Sequence, residues 1–268
     1  MKKSALSVMF GAVAVAFIAA PLTSFAGGTI TGKVTYAGKS ETSEFSLAKF
    51  PNTKFCAKNP VKGLVNGDKR SMPKVEVGKD GALKNAVVAI MDIEDKAFID
   101  GYKGTDVVAE FCQFLPFAGV VVQTKNFRAE NHDADPEDKK SELGVLHNPH
   151  SYYCSKGNCN QTYFNKALSK KGDKLEDKVM FKGGAEKDPQ GFVRLQCDQH
   201  EFMQSFFLPV SNPYFAVVGE DGSFTLKDVP AGKHKVVAWH PFVAKGKRVE
   251  FEVDVTEGGT ANLKAEMK

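Results

Sequence analysis

Turn-forming residues recur too often along this chain for long helices to fit between them. In "YFAVVGEDGSFTLKDVPAGKHKVVAWHP" and the tail after it, Asp221-Gly222, Pro230-Ala231-Gly232 and Gly258-Gly259 punctuate apolar runs. Their spacing is that of an antiparallel β-sandwich. The pattern holds upstream. "GTITGKVTYAG" places Ile30, Gly32, Val34 and Tyr36 on one side of a strand, and "KVEVGKDGALKNAVVAIMDI" is two strand-like runs around Asp80-Gly81. "FAGVVVQTKNF" is apolar and β-branched. Helix signals are weak, with short helical turns expected only near Phe164–Ser169. The chain therefore reads as all-β, and its 268 residues suffice for one large domain or two smaller ones.

The first 26 residues read differently. Lys2 and Lys3 precede the apolar "ALSVMFGAVAVAFIAAPL", and Ser24 and Ala26 are small residues placed for cleavage after Ala26. Residues 1–26 are thus expected to be a signal peptide that directs the mature chain to the periplasm or further out. No second apolar run approaches the ~20 residues that span a bilayer. Losing the two leader lysines lowers the formal net charge of +4 and leaves a nearly balanced chain. That excludes a strong nucleic-acid footprint. The polar runs "DADPEDKKSE" (Asp133–Glu142) and "KALSKKGDKLEDK" (Lys166–Lys178) read as solvated loops, with a docking patch for a charged partner as the other reading.

Five cysteines in an exported chain leave at least one thiol unpaired. Cys154 and Cys159 flank "SKGN", which can turn the chain back for a local disulfide. Cys56 and Cys112 are then candidates for a long-range bridge, and Cys197 is left over, although sequence alone leaves the pairing open. Cys197 opens the spacing Cys197-x2-His200-x2-Met203. A thiolate, an imidazole and a thioether on one short loop are soft donors that suit copper, and a second imidazole completes a trigonal set of two His and one Cys with a weak axial Met. His147 and His150, in "LHNPHSYY", are the candidates for that imidazole. A structural zinc site wants four firm ligands and does not select Met. Asn148, beside His147, is placed to brace the ligand loop.

"LHNPH" together with "CDQHEFM" resembles the cupredoxins, with a ligand-loop spacing like that of amicyanin. The resemblance implies a Greek-key sandwich holding one type 1 copper ion. It favours His147, which Asn follows, over His150, and makes His147, Cys197, His200 and Met203 the ligands. "NPYFAVVGEDGSFTLKDVPAGKHKVVAWHP" looks like exported bacterial proteins that join such a domain to a carboxypeptidase-regulatory-like (transthyretin-like) β-sandwich. The organisation implied is an outer sandwich built from residues 27–105 and 211–268, with the copper domain, 106–210, between them. One departure is that Phe117 in "FLPFAGV" stands where similar sequences often carry His after Pro; His150 is the residue available to take that place.

The function expected is single-electron transfer, with a cytochrome or oxidoreductase as redox partner. The alternative is copper carriage or storage, or an interaction module without redox turnover. Carriers favour exposed, Met-rich sites, and of the seven Met here Met1 and Met9 lie in the leader and the others do not cluster. Six His are too few for a multicopper oxidase. Neither a nucleophile–base set nor a zinc-peptidase motif is present, so an enzyme is not expected. Among the other histidines, His132 and His234 read as solvent-exposed, and Trp239-His240 as a structural pair in the outer sandwich.

Overall fold

The computed structural model describes residues 26–180, 188 and 190–268. The leader expected over residues 1–26 lies, apart from Ala26, outside the described residues. The fold is all-β, as the turn spacing requires. Its longest described helix is Lys96–Gly101, and among the described residues no helix is long and apolar enough to cross a membrane. The helical turns expected near Phe164–Ser169 are absent. That stretch continues strand Asn158–Asn165 and then makes a bridge between Leu168 and His147.

Four sheets stack face to face. The first is Ser223–Val229, Gly28–Tyr36 and Thr260–Met267; the second is Phe215–Val217, Val87–Ile90, Gly232–Trp239 and Val249–Val255. The third runs Asn158–Asn165, Pro149–Ser155, Phe192–Cys197, Gln204–Pro209 and Ala118–Val121, and the fourth Lys174–Lys178, Asn126–Asn131, Thr105–Ala109 and Phe114–Leu115. Alternation along the strands fills the gaps between them. Val88, Ile90, Val236 and Ala238 face the first sheet, whereas Val87, Ala89, Val237 and Trp239 face the third. Phe206 and Leu208 meet them from the third sheet, and Phe207 points the other way, toward the fourth. The two inner sheets are apolar on both faces, which is why "AVVAI", "VVAW" and "FFLPV" are continuous apolar runs rather than alternating ones. Residues 27–36, 77–93 and 211–268 are woven into one sandwich: strand Gly28–Tyr36 pairs antiparallel with Ser223–Val229 and parallel with Thr260–Met267, and Val87–Ile90 lies between Phe215–Val217 and Gly232–Trp239. The parallel neighbour passes so close that a Cβ on Gly32 would meet the Leu263 carbonyl oxygen at 1.8 Å.

The stretch between those N-terminal strands goes elsewhere. Glu41–Ser46, Val65–Asn66 and Lys69–Val75 form a separate three-stranded sheet. Leu47, Phe55, Cys56 and Met72 from this stretch join the core between the third and fourth sheets. This segment is a cap on the cysteine-bearing unit, and a disulfide between Cys56 and Cys112, both fully buried, ties it down. A second disulfide, Cys154–Cys159, closes the hairpin around Lys156-Gly157. Cys56 and Cys112 are 56 residues apart, and closing a loop of that length in the unfolded chain is worth ~4 kcal/mol in the chain-entropy model. Replacing both by Ser is expected to lower stability in urea by ~2–4 kcal/mol; an unchanged midpoint would show that the bridge does not constrain the unfolded chain.

Candidate metal centre

Three chain segments converge at one end of the third sheet. Strand Phe192–Cys197 ends on Cys197, and Pro149, which opens the neighbouring strand two residues after His147, lies opposite it. The loop after Cys197 folds back at once. Cys197 N donates to Met203 O at 3.0 Å, His200 N to Cys197 O at 3.3 Å and Met203 N to His200 O at 2.8 Å. These bonds wind residues 197–203 into consecutive tight turns. Cys197, His200 and Met203 are thereby buried while Asp198 and Glu201 remain in solvent. His147 is held from the opposite side by paired backbone bonds with Leu168.

The geometry brings His147, Cys197 and His200 together. His147 Nδ1 is 3.9 Å and His200 Nδ1 3.7 Å from Cys197 Sγ, and the donor atoms of the three residues lie within 4.8 Å of one another. A first-row metal with sulfur at ~2.3 Å and nitrogen at ~2.0 Å in a trigonal plane spaces those donors by ~3.7 Å. The outer nitrogens are already committed. His147 Nε2 bonds Asp133 Oδ2 at 2.8 Å, and His200 Nε2 donates to Pro51 O, in the cap, at 3.1 Å. A carbonyl can only accept, so His200 carries a proton on Nε2, which leaves its Nδ1 facing Cys197. Asn148 N donates to Cys197 Sγ at 3.3 Å, Asn148 Nδ2 to Asp198 Oδ2, and Asp198 N to Asn148 O, so Asn148 does brace the loop. Met203, also fully buried, sits on the same loop. A buried thiol, two imidazoles whose Nδ1 atoms face it and a thioether on the same loop fit copper better than a four-ligand zinc site.

Burial alone would push the Cys197 thiol up. Hydrogen bonds and charge from His147 and His200 outweigh it and bring the group down to about 6. Burial likewise works against a charged His147, but the Asp133 and Cys197 contacts outweigh it and raise the ring to about 9. The metal-free pair is thus thiolate and imidazolium between those values, and the thiolate is the ligand form.

His150 does not face the cluster. Its ring stacks on Tyr152 with centroids 3.9 Å apart, and it bonds Asp198, Thr162 and Tyr152 Oη. Phe117 packs on Phe206 in the core between the two sandwiches. Trp239 packs on Phe192 there and donates to Gly246 O, a structural role. His234, expected in solvent, is buried: its Nε2 bonds Pro230 O at 2.7 Å and its Nδ1 lies 3.7 Å from Asp92. His132 is partly exposed beside Glu130. Phe202 forms an aromatic group with Phe45 and Phe50 of the cap, and the buried Arg70 guanidinium lies 5.3 Å from its ring centre.

Asp133 and Pro51 are the two site residues that sequence reasoning missed. Asp133 opens the acidic run read as a solvated loop, yet Asp133 and Asp135 are both buried. Pro51 contributes only a carbonyl, which no side-chain motif announces.

No protein-family model and no curated protein matches the chain. Solved structures similar to it include the Cu-containing nitrite reductase from Thermus scotoductus SA-01, at 12% identity over 41% of this chain and 23% of that one, TM-score 0.29. Others are a purple cupredoxin from Nitrosopumilus maritimus, at 14% identity over 40% of this chain and 99% of that one, TM-score 0.27, and an amicyanin variant in its reduced Cu(I) form, at 13% identity over 47% and 100%, TM-score 0.28. The chain thus spans about a quarter of the reductase. What the cluster can bind is decided by its own donors.

Cys197 is the free cysteine of the structure, so its ionisation can be followed without interference. In metal-free protein the thiolate ultraviolet absorbance should appear with a midpoint near 6 as pH rises. His147→Ala should move the midpoint up. A wild-type midpoint at the ordinary thiol value of ~8.5 would contradict the geometry.

Proposed function

We propose that this chain is a type 1 copper protein that carries single electrons through a site of one Cys, two His and one Met. The observation that carries the reading is the convergence of His147 Nδ1, Cys197 Sγ and His200 Nδ1 in a buried cluster whose outer atoms are already hydrogen-bonded. His147, Cys197 and His200 would hold the metal, with Met203 as a weaker fourth donor. Bound copper would supply a one-electron Cu(II)/Cu(I) couple. The chain's own part is to hold the donors still. Asp133 and Pro51 fix the rings, Asn148 fixes the sulfur, and the Phe45–Phe50–Phe202 group keeps water away. Donors that need not move between oxidation states keep reorganisation small.

Burial of all four candidate ligands argues against the alternative of copper carriage or storage, which requires exchange. We further propose that the protein works in the periplasm as a carrier and not as an enzyme, passing electrons to a cytochrome or oxidoreductase. The sandwich of residues 27–36, 77–93 and 211–268 is then a carboxypeptidase-regulatory-like unit that supports the copper domain. The leader-like first 26 residues and the disulfides support export.

The first test is the visible spectrum of residues 27–268 with Cu(II). An intense thiolate-to-copper band is expected in the wild type and absent in Cys197→Ala; a band that survives the substitution sinks the assignment. Met203→Leu should keep the band and shift the reduction potential. His147→Ala should weaken copper binding by more than tenfold, whereas His150→Ala should change it less than twofold, which equilibrium competition with a copper chelator measures.

A further inference from the structure

The two ligand histidines are held in unequal ways. His200 gives its Nε2–H to a neutral carbonyl on the exposed Pro51. His147 meets the carboxyl group of Asp133, itself 2% exposed. Both oxygens of that group receive further N–H donors, from Phe111 N to Oδ1 at 2.6 Å and from Cys112 N to Oδ2 at 2.9 Å. An arrangement in which every neighbour donates is satisfied by an acceptor-only carboxylate.

The backbone that supplies those donors is strained. Phe111 and Cys112 have φ of 47° and 53°, a left-handed conformation costing ~1–2 kcal/mol per non-glycine residue. Two successive N–H groups aimed at one anion make a nest, and such strain persists only where the surroundings over-determine it. Here they do. Cys112 is bridged to Cys56 and its carbonyl accepts from Arg70 at 3.3 Å. Asp133 N donates to Asn131 Oδ1, while Asn131 Nδ2 donates to Val145 O, two residues before His147, and to Leu168 O, of the residue that bridges to His147. One short segment, 131–133, therefore grips both the backbone and the ring of His147.

We infer that Asp133, seated in the Phe111–Cys112 nest, is the positioning residue of the copper centre: it fixes the His147 ring with Nδ1 toward Cys197, and its charge favours the Cu(II) state. The inference rests on the copper reading above. A carboxylate on the far side of a ligand imidazole makes the ring a stronger donor, and the more highly charged metal ion gains most.

The test is Asp133→Asn, read by potential as well as by spectrum. The ratio of Cu(II) to Cu(I) affinity is expected to fall about tenfold, a rise of ~59 mV in reduction potential, with the thiolate band retained. A retained band with an unmoved potential overturns the inference and leaves the copper reading standing. Loss of the band from wild type itself strikes the copper reading instead. A wild-type measurement covers the case in which the variant does not fold. In metal-free protein with labelled histidine, the His147 Nε2 proton should be strongly deshielded and exchange more slowly than that of His200. A His147 proton that exchanges as fast as that of His200 also overturns the inference.

Discussion

A thiol buried as deeply as Cys197 is costly to ionise unless the surroundings supply positive charge or N–H donors, and the site is built around that requirement. Asn148 N points at the sulfur, and the two imidazoles approach it with Nδ1. Each imidazole can do so only because something else holds its outer nitrogen. That transfers the demand outward, to Asp133 and to the Pro51 carbonyl, and from there to the nest at 111–112 and the cap at 47–56. The Cys56–Cys112 disulfide joins these two outer supports to each other. One disulfide outside the cluster thus links the supports of both of its histidine rings.

The stacked sheets supply the rigidity this chain of support needs. Strand Phe192–Cys197, which delivers the thiol, lies in a sheet packed on both faces, against Phe127 and its neighbours on one side and against Trp239 on the other. A strand with one face in solvent can twist or slip at its end; one clamped between two cores keeps its last residue in place. The outer sandwich, which contributes no residue to the cluster, thereby contributes to the position of Cys197.

Much of this was legible in the sequence. Turn spacing marked an all-β chain, and the Cys197-x2-His200-x2-Met203 loop needed no fold to be noticed, because a thiol, an imidazole and a thioether on one short stretch are a set of soft donors that core packing does not require. What stayed hidden has physical reasons. Asp133 sits among Asp135, Glu137 and Asp138, and charge patterning cannot tell a carboxylate answered by backbone N–H groups from one answered by water. Pro51 acts through its main chain. His234 alternates with valines on an edge-like pattern, yet its Nε2 reaches back to Pro230 O and takes the ring inward. The cap at 41–75 falls within the 27–105 expected in the outer sandwich, and nothing local in it says which of two cores Leu47, Phe55 and Met72 will join.

The donors of the site are therefore specified less by the ligand motif than by the elements that hold it. A Cys, a His and a Met at this spacing on a free loop would sample many arrangements, and metal would have to impose one at an entropic cost. Here the backbone bonds of residues 197–203, the Asn148 zipper and the two outer supports fix the arrangement from protein contacts alone. If the cluster holds copper as proposed, a geometry held by the fold could not relax to what either oxidation state would choose by itself, which is the condition under which an electron can arrive and leave with little rearrangement of its surroundings.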